Sequence, residues 1–567
     1  MQSGFARSAR NWVTIGRILV MSFFQLVRRE MQGSPRRLVV MAGLGGISTA
    51  SILASLNAGA QSADSGRPSL WAAALFVVAL FLFIKTQNYI LLTTTAEIEA
   101  IIHKVRVRLM DQVRHSELLP LEGIGRAQIV AAITKETATL TQASNSLAFA
   151  GQGAVLILFV AMYVAFLSPL ALALGIIIVG VAGALFHSKS RHLAKAAREA
   201  ADWENRLYDR LMDLLDGFKE VRLNSARSED LYNDISEVSR TAANIKIRTQ
   251  AETFRRIFML QSAMYAMLGA IAFVVPVLSD TLGGASISKT VTALVFILGA
   301  CFGLVNTIPI LTNANAAADN IDRLEALLSA TVMGAQVGAL EPARRFDRIE
   351  IRNVVFSYVE RSTEKVFTVG PVDFSLKSGE LVFITGGNGS GKSTFCKILA
   401  SLYKPDSGEI TFDGVLVTDR TREAYRQLIA AVFVDYHLFQ RLYGIRDADP
   451  VEIDRLLAQF RLLDKTRLVQ GEFNTVDLST GQRKRLALIV SLLEKRPILL
   501  LDEWAADQDP EFRRKFYFDL LPALHRAGVT VVVVSHDDRY LNEMELPARR
   551  LRMDEGRFVE QSSVESG

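Results

Sequence analysis

Leu381-Val382-Phe383-Ile384-Thr385-Gly386-Gly387-Asn388-Gly389-Ser390-Gly391-Lys392-Ser393-Thr394 decides how the second half of this 567-residue chain folds. Leu381 to Ile384 reads as a buried strand and Phe395 to Tyr403 as a helix. A glycine loop between a strand and a helix is the setting in which this pattern cradles phosphate. The glycines let backbone N–H groups approach phosphate oxygens, and the helix N-terminus adds the positive end of its dipole. Gly386, Gly387, Asn388, Gly389, Ser390, Gly391 and Thr394 would form the cradle; Lys392 would reach the β and γ phosphates, and the Ser393 hydroxyl would hold Mg²⁺. The bare pattern also arises by chance in roughly a few per cent of chains this long, so the reading needs company.

That company lies downstream. Ile498-Leu499-Leu500-Leu501-Asp502-Glu503 reads as an apolar strand ending in two acids. Asp502 is placed to bind Mg²⁺ and Glu503 to polarise an attacking water; the plainer alternative is a strand with a solvated acidic end. Val529 to Val534 is another apolar run, ending in Ser535-His536. A histidine just past a strand end either reaches the γ-phosphate or does a structural job. Upstream, Tyr358 either stacks on adenine or packs in the core. Leu478-Ser479-Thr480-Gly481-Gln482 precedes a helical stretch, Arg483 to Leu493, and offers an anion a second helix N-terminus and a serine hydroxyl.

The pentapeptide resembles the signature motif of ATP-binding cassette (ABC) proteins, with Thr480 where glycine is usual. In that family the signature of one cassette closes over the nucleotide of another. Ala506-Asp507-Gln508-Asp509 resembles the family's D-loop, and His536 its switch histidine. The resemblance implies ATP and Mg²⁺ as cofactors, Glu503 and His536 as catalytic residues, and Ser479, Gly481, Gln482 and Asp509 as nucleotide contacts.

The apolar residues, 50% of the chain, are concentrated before about residue 315, and mean hydropathy is +0.23. Leu38 to Leu56, Leu70 to Leu92, Leu147 to Phe166, Leu170 to Phe186, Ile257 to Leu278 and Val291 to Leu311 each approach the roughly 20 residues that cross a bilayer core. Buried helices of a soluble domain do not account for so many stretches of that length, and about six spans are expected. The joins at Asn57 to Ser69, Ser168-Pro169 and Ser279 to Thr290 carry only Arg67 and Lys289 as basic residues. The opposite joins are long and basic, with Lys104, Arg106, Arg108, Arg114 and Arg126 in one and Lys189, Arg191, Lys195 and Arg198 in the next. The positive-inside rule places the long joins, both termini and the nucleotide domain in the cytoplasm. The net charge of +5 follows from that asymmetry, so no nucleic-acid surface is read from it.

Trp12 to Arg29 mixes aromatic and basic residues without a small-residue cleavage site after its apolar part, which suits an interfacial elbow helix rather than a signal peptide. Cys301 and Cys396 fall in separate parts of the architecture and imply no disulfide. Leu328 to Arg345 reads as a linker. The expected organisation is an elbow at 1–37, a helical transmembrane domain at 38–327, the linker at 328–345 and a P-loop α/β nucleotide-binding domain at 346–567. Ala96 to Ser116 and Lys189 to Leu215 have the mixed faces of helices that leave the membrane. Each join then has a break, Leu118-Leu119-Pro120 with Gly123 and Gly125, and Gly217-Phe218-Lys219-Glu220, read as a short capping helix or an exposed loop.

One membrane domain followed by one cassette resembles a half-size ABC exporter of the type I plan. Gly217 to Asn224, Asp502 to Pro510 and Phe433 to Phe439 are similar to the branch that exports cyclic peptides and siderophores, of syringomycin and pyoverdine type. Most ABC exporters have Pro-Thr after the glutamate, where this chain has Trp504-Ala505. The Q-loop glutamine that ligates Mg²⁺ in the family aligns with Val434, and the adjacent Asp435 offers a hard oxygen in its place. The resemblance implies a homodimer in the bacterial inner membrane that moves a cyclic peptide, lipopeptide or peptide siderophore outward by alternating access, in contact with membrane lipid. A lipid or glycolipid flippase of the same fold and a non-pumping nucleotide-gated regulator are the alternatives. Gln261, Tyr265, Asn306 and Asn313 either line a cargo cavity or bond neighbouring helices.

Overall fold

The computed structural model describes residues 21–31, 33, 35–64, 69–188, 190–274, 277, 284–331, 345–359 and 366–559. They fall into two compact units, one drawn from Met1–Met110 and Ala127–Glu325, the other from Asp111–Arg126 and Ala326–Gly567.

The first unit is helical. Its long helices are Pro35–Asp64, Leu70–His115, Thr137–Leu167, Pro169–Ser188, Ser190–Asp216, Ser225–Gly269 and Gly284–Thr331. Among the described residues five helices are long and apolar enough to cross a membrane, and Pro169–Val181 adds a shorter apolar stretch. All six expected spans fall on these helices, although residues 275, 276 and 278 of the fifth lie outside the described set. Leu70–His115 has 46 residues. At 1.5 Å per residue it is about 70 Å long, more than twice a hydrocarbon core of about 30 Å, so it must continue well beyond the bilayer. Leu53, Val160, Val164, Met267, Ile271 and Leu294 form a buried apolar cluster between the spans. Tyr265, Asn306 and Asn313 are exposed and Gln261 is half-buried.

A helix at Met21–Glu30 occupies the described part of the expected elbow; Trp12 to Val20 lie outside the described residues. Charge fastens it to two of the long helices. Arg108 Nη1 lies 2.8 Å from Glu30 Oε1 and its Nε lies 2.7 Å from Glu325 Oε1, while Arg29 Nη2 reaches Glu325 Oε2 at 3.1 Å. Burial alone would raise the Glu30 pKa, but the hydrogen bonds from Arg108 and Arg29 outweigh it and hold the carboxyl below its ordinary range.

Both breaks in the long joins are short helices, Leu118–Ile124 and Phe218–Leu223. The first belongs to the second unit, so the expected membrane domain at 38–327 is interrupted. The cause is local: Leu118 and Leu119 pack against the apolar core of that unit, and Glu117 pairs with Arg422 at 2.8 Å and Arg426 at 3.1 Å. The linker reading also needs correction at its start, because the last long helix runs through Leu328 to Thr331; residues 332–344 lie outside the described set.

The rest of the second unit is α/β. Strands β1 (Arg348–Val359), β2 (Val366–Lys377), β3 (Leu381–Thr385), β4 (Ser407–Phe412), β5 (Val415–Leu416) and β6 (Ile429–Val432) precede β7 (Leu468–Val469) and β8 (Glu472–Phe473), which form a small hairpin. They are followed by β9 (Ile498–Asp502), β10 (Thr530–Val534), β11 (Arg549–Asp554) and β12 (Arg557–Val559). An antiparallel sheet has the order β2-β1-β4-β5, and a six-stranded sheet has the order β12-β11-β3-β10-β9-β6. In the latter β3, β10, β9 and β6 run parallel, and Val534 is in register with both Ile384 and Asp502. Their carboxyl ends therefore share one edge, the edge on which open α/β sheets bind ligands.

Candidate nucleotide site

The glycine loop leaves β3 at that edge and ends in the helix Lys392–Leu399. Gly386 has φ +146°, and a Cβ there would lie 2.1 Å from the Met553 carbonyl oxygen, so only glycine fits. Gly391 has φ +100° at the helix N-cap, again a glycine conformation. The Lys392 ammonium donates to the carbonyls of Gly386 at 3.1 Å and Gly387 at 2.8 Å. Burial pushes its pKa down, and Glu503 and Asp502 oppose that. Gly387, Asn388 and Gly389 are exposed, whereas the Ser390 hydroxyl is buried and has no partner among the described residues.

Asp502 ends β9 and is 1% exposed. Burial raises its pKa, a hydrogen bond from Ser393 lowers it, and Asp435 is near enough to add repulsion. Its Oδ1 is buried with no hydrogen-bond partner among the described residues. An orphaned carboxylate oxygen beside a serine hydroxyl is the hard donor set that Mg²⁺ takes, so these residues fit that ion. Glu503 follows with φ +50°, a left-handed backbone that costs a non-glycine residue about 1–3 kcal/mol and is kept where the surroundings over-determine it. His536 Nε2 lies 3.0 Å from Glu503 Oε1, joining two residues 33 positions apart in sequence. With the carboxylate ionised, the imidazole N–H donates. The Tyr358 ring is half-buried against Phe356 and Phe367, at 6.1 Å and 5.8 Å between centroids. It is thus part of the core, with the remainder of the ring open.

The other expected residues form a second group. Ser479 caps the helix Thr480–Leu493, and Gln482 Oε1 accepts the Ser479 N–H at 3.2 Å, closing a capping box. The Gly481 carbonyl accepts from Gln508 Nε2 at 3.1 Å. Asp509 caps the helix Pro510–Lys515 by accepting the Phe512 N–H at 2.8 Å, and it pairs with Arg485. Gln482 and Asp509, read as nucleotide contacts, are thus engaged in shaping this turn. Asp435 is 72% exposed with Oδ2 3.8 Å from Lys397 Nζ, beside an exposed Val434.

Sequence reasoning missed Lys397, Lys484 and Trp504. Lys397 lies on the P-loop helix, 3.7 Å from Glu122 and 5.3 Å from the centre of the Tyr403 ring. Lys484 stands in Arg483-Lys484-Arg485 at the start of the signature helix and is buried.

Residues 369–506 match the family model described as ABC transporter. The chain is 30% identical over 530 residues to the ATP-binding protein SyrD of Pseudomonas syringae pv. syringae, covering 91% of this chain and 92% of that protein. An ATP-dependent lipid A-core flippase of Aromatoleum aromaticum is 34% identical over 242 residues, which is 40% of this chain and 38% of that protein. The solved structure of a bacterial Atm1-family ABC exporter with ATP bound superposes with a TM-score of 0.75 at 19% identity, covering 94% of this chain and 95% of that one, and so shares its fold.

Proposed function

We propose, because this chain belongs to the half-size ABC exporters and couples ATP hydrolysis to transport across a membrane, that two copies form an exporter of a cyclic peptide, lipopeptide or peptide siderophore in a bacterial inner membrane. The observation that carries the motor is the joined group at one sheet edge: Lys392, Ser393 and Asp502, with Glu503 held by His536. Support for the cargo class is the match along 91% of the chain to SyrD and the branch-like stretches at Gly217 to Asn224 and Asp502 to Pro510.

Lys392 turns from its loop carbonyls to the β and γ phosphates, and Tyr358 offers its open ring edge to adenine. Ser393 and Asp502 would hold Mg²⁺, which would supply neutralisation of phosphate charge. Asp435 is the further oxygen donor in place of the missing glutamine. Glu503 orients the attacking water and accepts its proton, and the His536 N–H fixes which carboxylate oxygen is free to do so. Ser479 and Gly481 stand at a helix N-terminus, with Ser479 exposed, and in the dimer they close over the nucleotide of the other cassette. Dimerisation also gives the exposed Phe218 and Leu223 a surface to meet.

The test is reconstitution in sealed vesicles. Glu503→Gln should retain MgATP binding and lose hydrolysis by about a hundredfold or more. ATP-driven uptake into inside-out vesicles should appear with a lipopeptide or a peptide siderophore. ATP-driven movement of labelled lipid without peptide uptake would establish a flippase instead, and binding without any transport would establish a regulator.

A further inference from the structure

Two hydrogen bonds run in opposite directions between the signature helix and the strand end that carries Glu503. The Lys484 ammonium donates to the Glu503 backbone carbonyl at 2.8 Å and lies 2.6 Å from Asp507 Oδ2. In return the Trp504 indole N–H donates to the Lys484 carbonyl at 2.8 Å. The Lys484 side chain is 4% exposed and Trp504 0%. A buried ammonium is costly unless it is paired, and an apolar side chain of similar length would fill the same space, so packing alone does not explain the charge. What the charge does here is grip the carbonyl of the one non-glycine site residue, among those described, whose backbone is left-handed.

We propose that Lys484 is a positioning residue for hydrolysis, setting the backbone of Glu503 according to the position of the signature turn. The turn and the D-loop form one block. A Cβ on Gly481 would lie 2.6 Å from the Asp507 carbonyl oxygen, and Gln508 bridges the Gly481 carbonyl to Arg485 Nε, the latter at 2.8 Å. A shift of Ser479 and Gly481 on meeting a nucleotide therefore moves Lys484, and Lys484 moves the Glu503 carbonyl. This inference rests on the dimer reading above, in which the signature of one chain meets the nucleotide held by the other. Each chain's base is then set by occupancy of the opposite site, and the two sites hydrolyse cooperatively.

The test uses the full-length protein in lipid nanodiscs. Lys484→Met keeps length and removes every donor, Lys484→Arg keeps the charge, and Trp504→Phe keeps most of the volume while removing the N–H. Lys484→Met should lower kcat by about ten- to a hundredfold with KM for ATP within about twofold, and the Hill coefficient should fall to that of independent sites. Lys484→Arg should recover part of both, and Trp504→Phe should show a smaller loss in the same direction. Wild-type kcat and Hill coefficient in Lys484→Met overturn the proposal. So does a kcat loss matched by weaker nucleotide binding and a lower melting temperature, which would mark a merely structural lysine. Should Lys484→Met not fold, a cooperative, fully active Trp504→Phe overturns it equally. Glu503→Gln separates the two readings: if it hydrolyses normally the base assignment fails, whereas an inert Glu503→Gln beside a normal Lys484→Met removes only the coupling.

Discussion

The two short helices at the breaks of the long joins hold corresponding places in the chain and have opposite surroundings. Leu118–Ile124 belongs to the nucleotide-binding unit: Leu118 and Leu119 pack on its core, Glu117 sits between Arg422 and Arg426, and Tyr403 Oη donates to Glu122 Oε2 at 2.9 Å. Phe218–Leu223 belongs to the membrane unit and leaves Phe218 58% and Leu223 89% exposed. One turn is satisfied within its own chain. The other keeps its apolar side chains open, the surface that the proposed dimer would cover.

Four substitutions would break or sharpen that contrast. The largest effect is expected from Glu117→Arg, which sets a third cation against Arg422, whose side chain is 7% exposed. Arg422 keeps Asp419 at 3.0 Å, but losing Glu117 and gaining a like charge beside so buried a cation should still cost about 3 kcal/mol of seating, read as faster hydrogen exchange across residues 111–126. Unchanged exchange there would mean that charge does not hold the turn. Leu223→Asp should leave the melting temperature of the detergent-solubilised monomer nearly unmoved while weakening dimerisation by about 2 kcal/mol in mass photometry. A melting loss in the monomer would erase the contrast. Tyr403→Phe should cost about 1 kcal/mol by the same exchange measurement. Burial and the Glu122 bond raise the Tyr403 pKa, so the phenol's contribution is full below the ordinary tyrosine range and is lost as pH rises above it. Lys397→Gln should change seating least, by about 0.5 kcal/mol, since its two ion pairs are long and its partners partly exposed.

What could be read from the sequence was what lies within one stretch of chain. The phosphate loop, the acidic end of β9 and the signature turn each combine a strand or helix boundary with the residues that use it. The spans are legible because lipid demands long apolar runs. The seating of the first turn was not legible, because Glu117 and Arg422 are 305 positions apart and each alone is an ordinary surface charge. The last helix was cut short at Leu328 by its small residues, although Ile321, Leu324 and Leu328 are all buried at helical spacing. Trp504 stood out only as a departure from the usual proline; its bond to a carbonyl 20 positions earlier explains what the indole does there.

Lys397 lies within ion-pair range of two carboxylates, Glu122 at 3.7 Å on the first turn and Asp435 at 3.8 Å beside the Q-loop position. One cation between two anions behaves as a balance: whatever neutralises one arm hands the charge to the other. On the proposal that Asp435 binds Mg²⁺, a dication claiming Asp435 would leave Lys397 wholly to Glu122 and tighten the turn, and its departure would slacken it. The weak, shared contact can thus carry a message that its strength alone would not suggest. If Asp435 stands in for the family's glutamine, a division of charge does what a single reaching side chain does elsewhere.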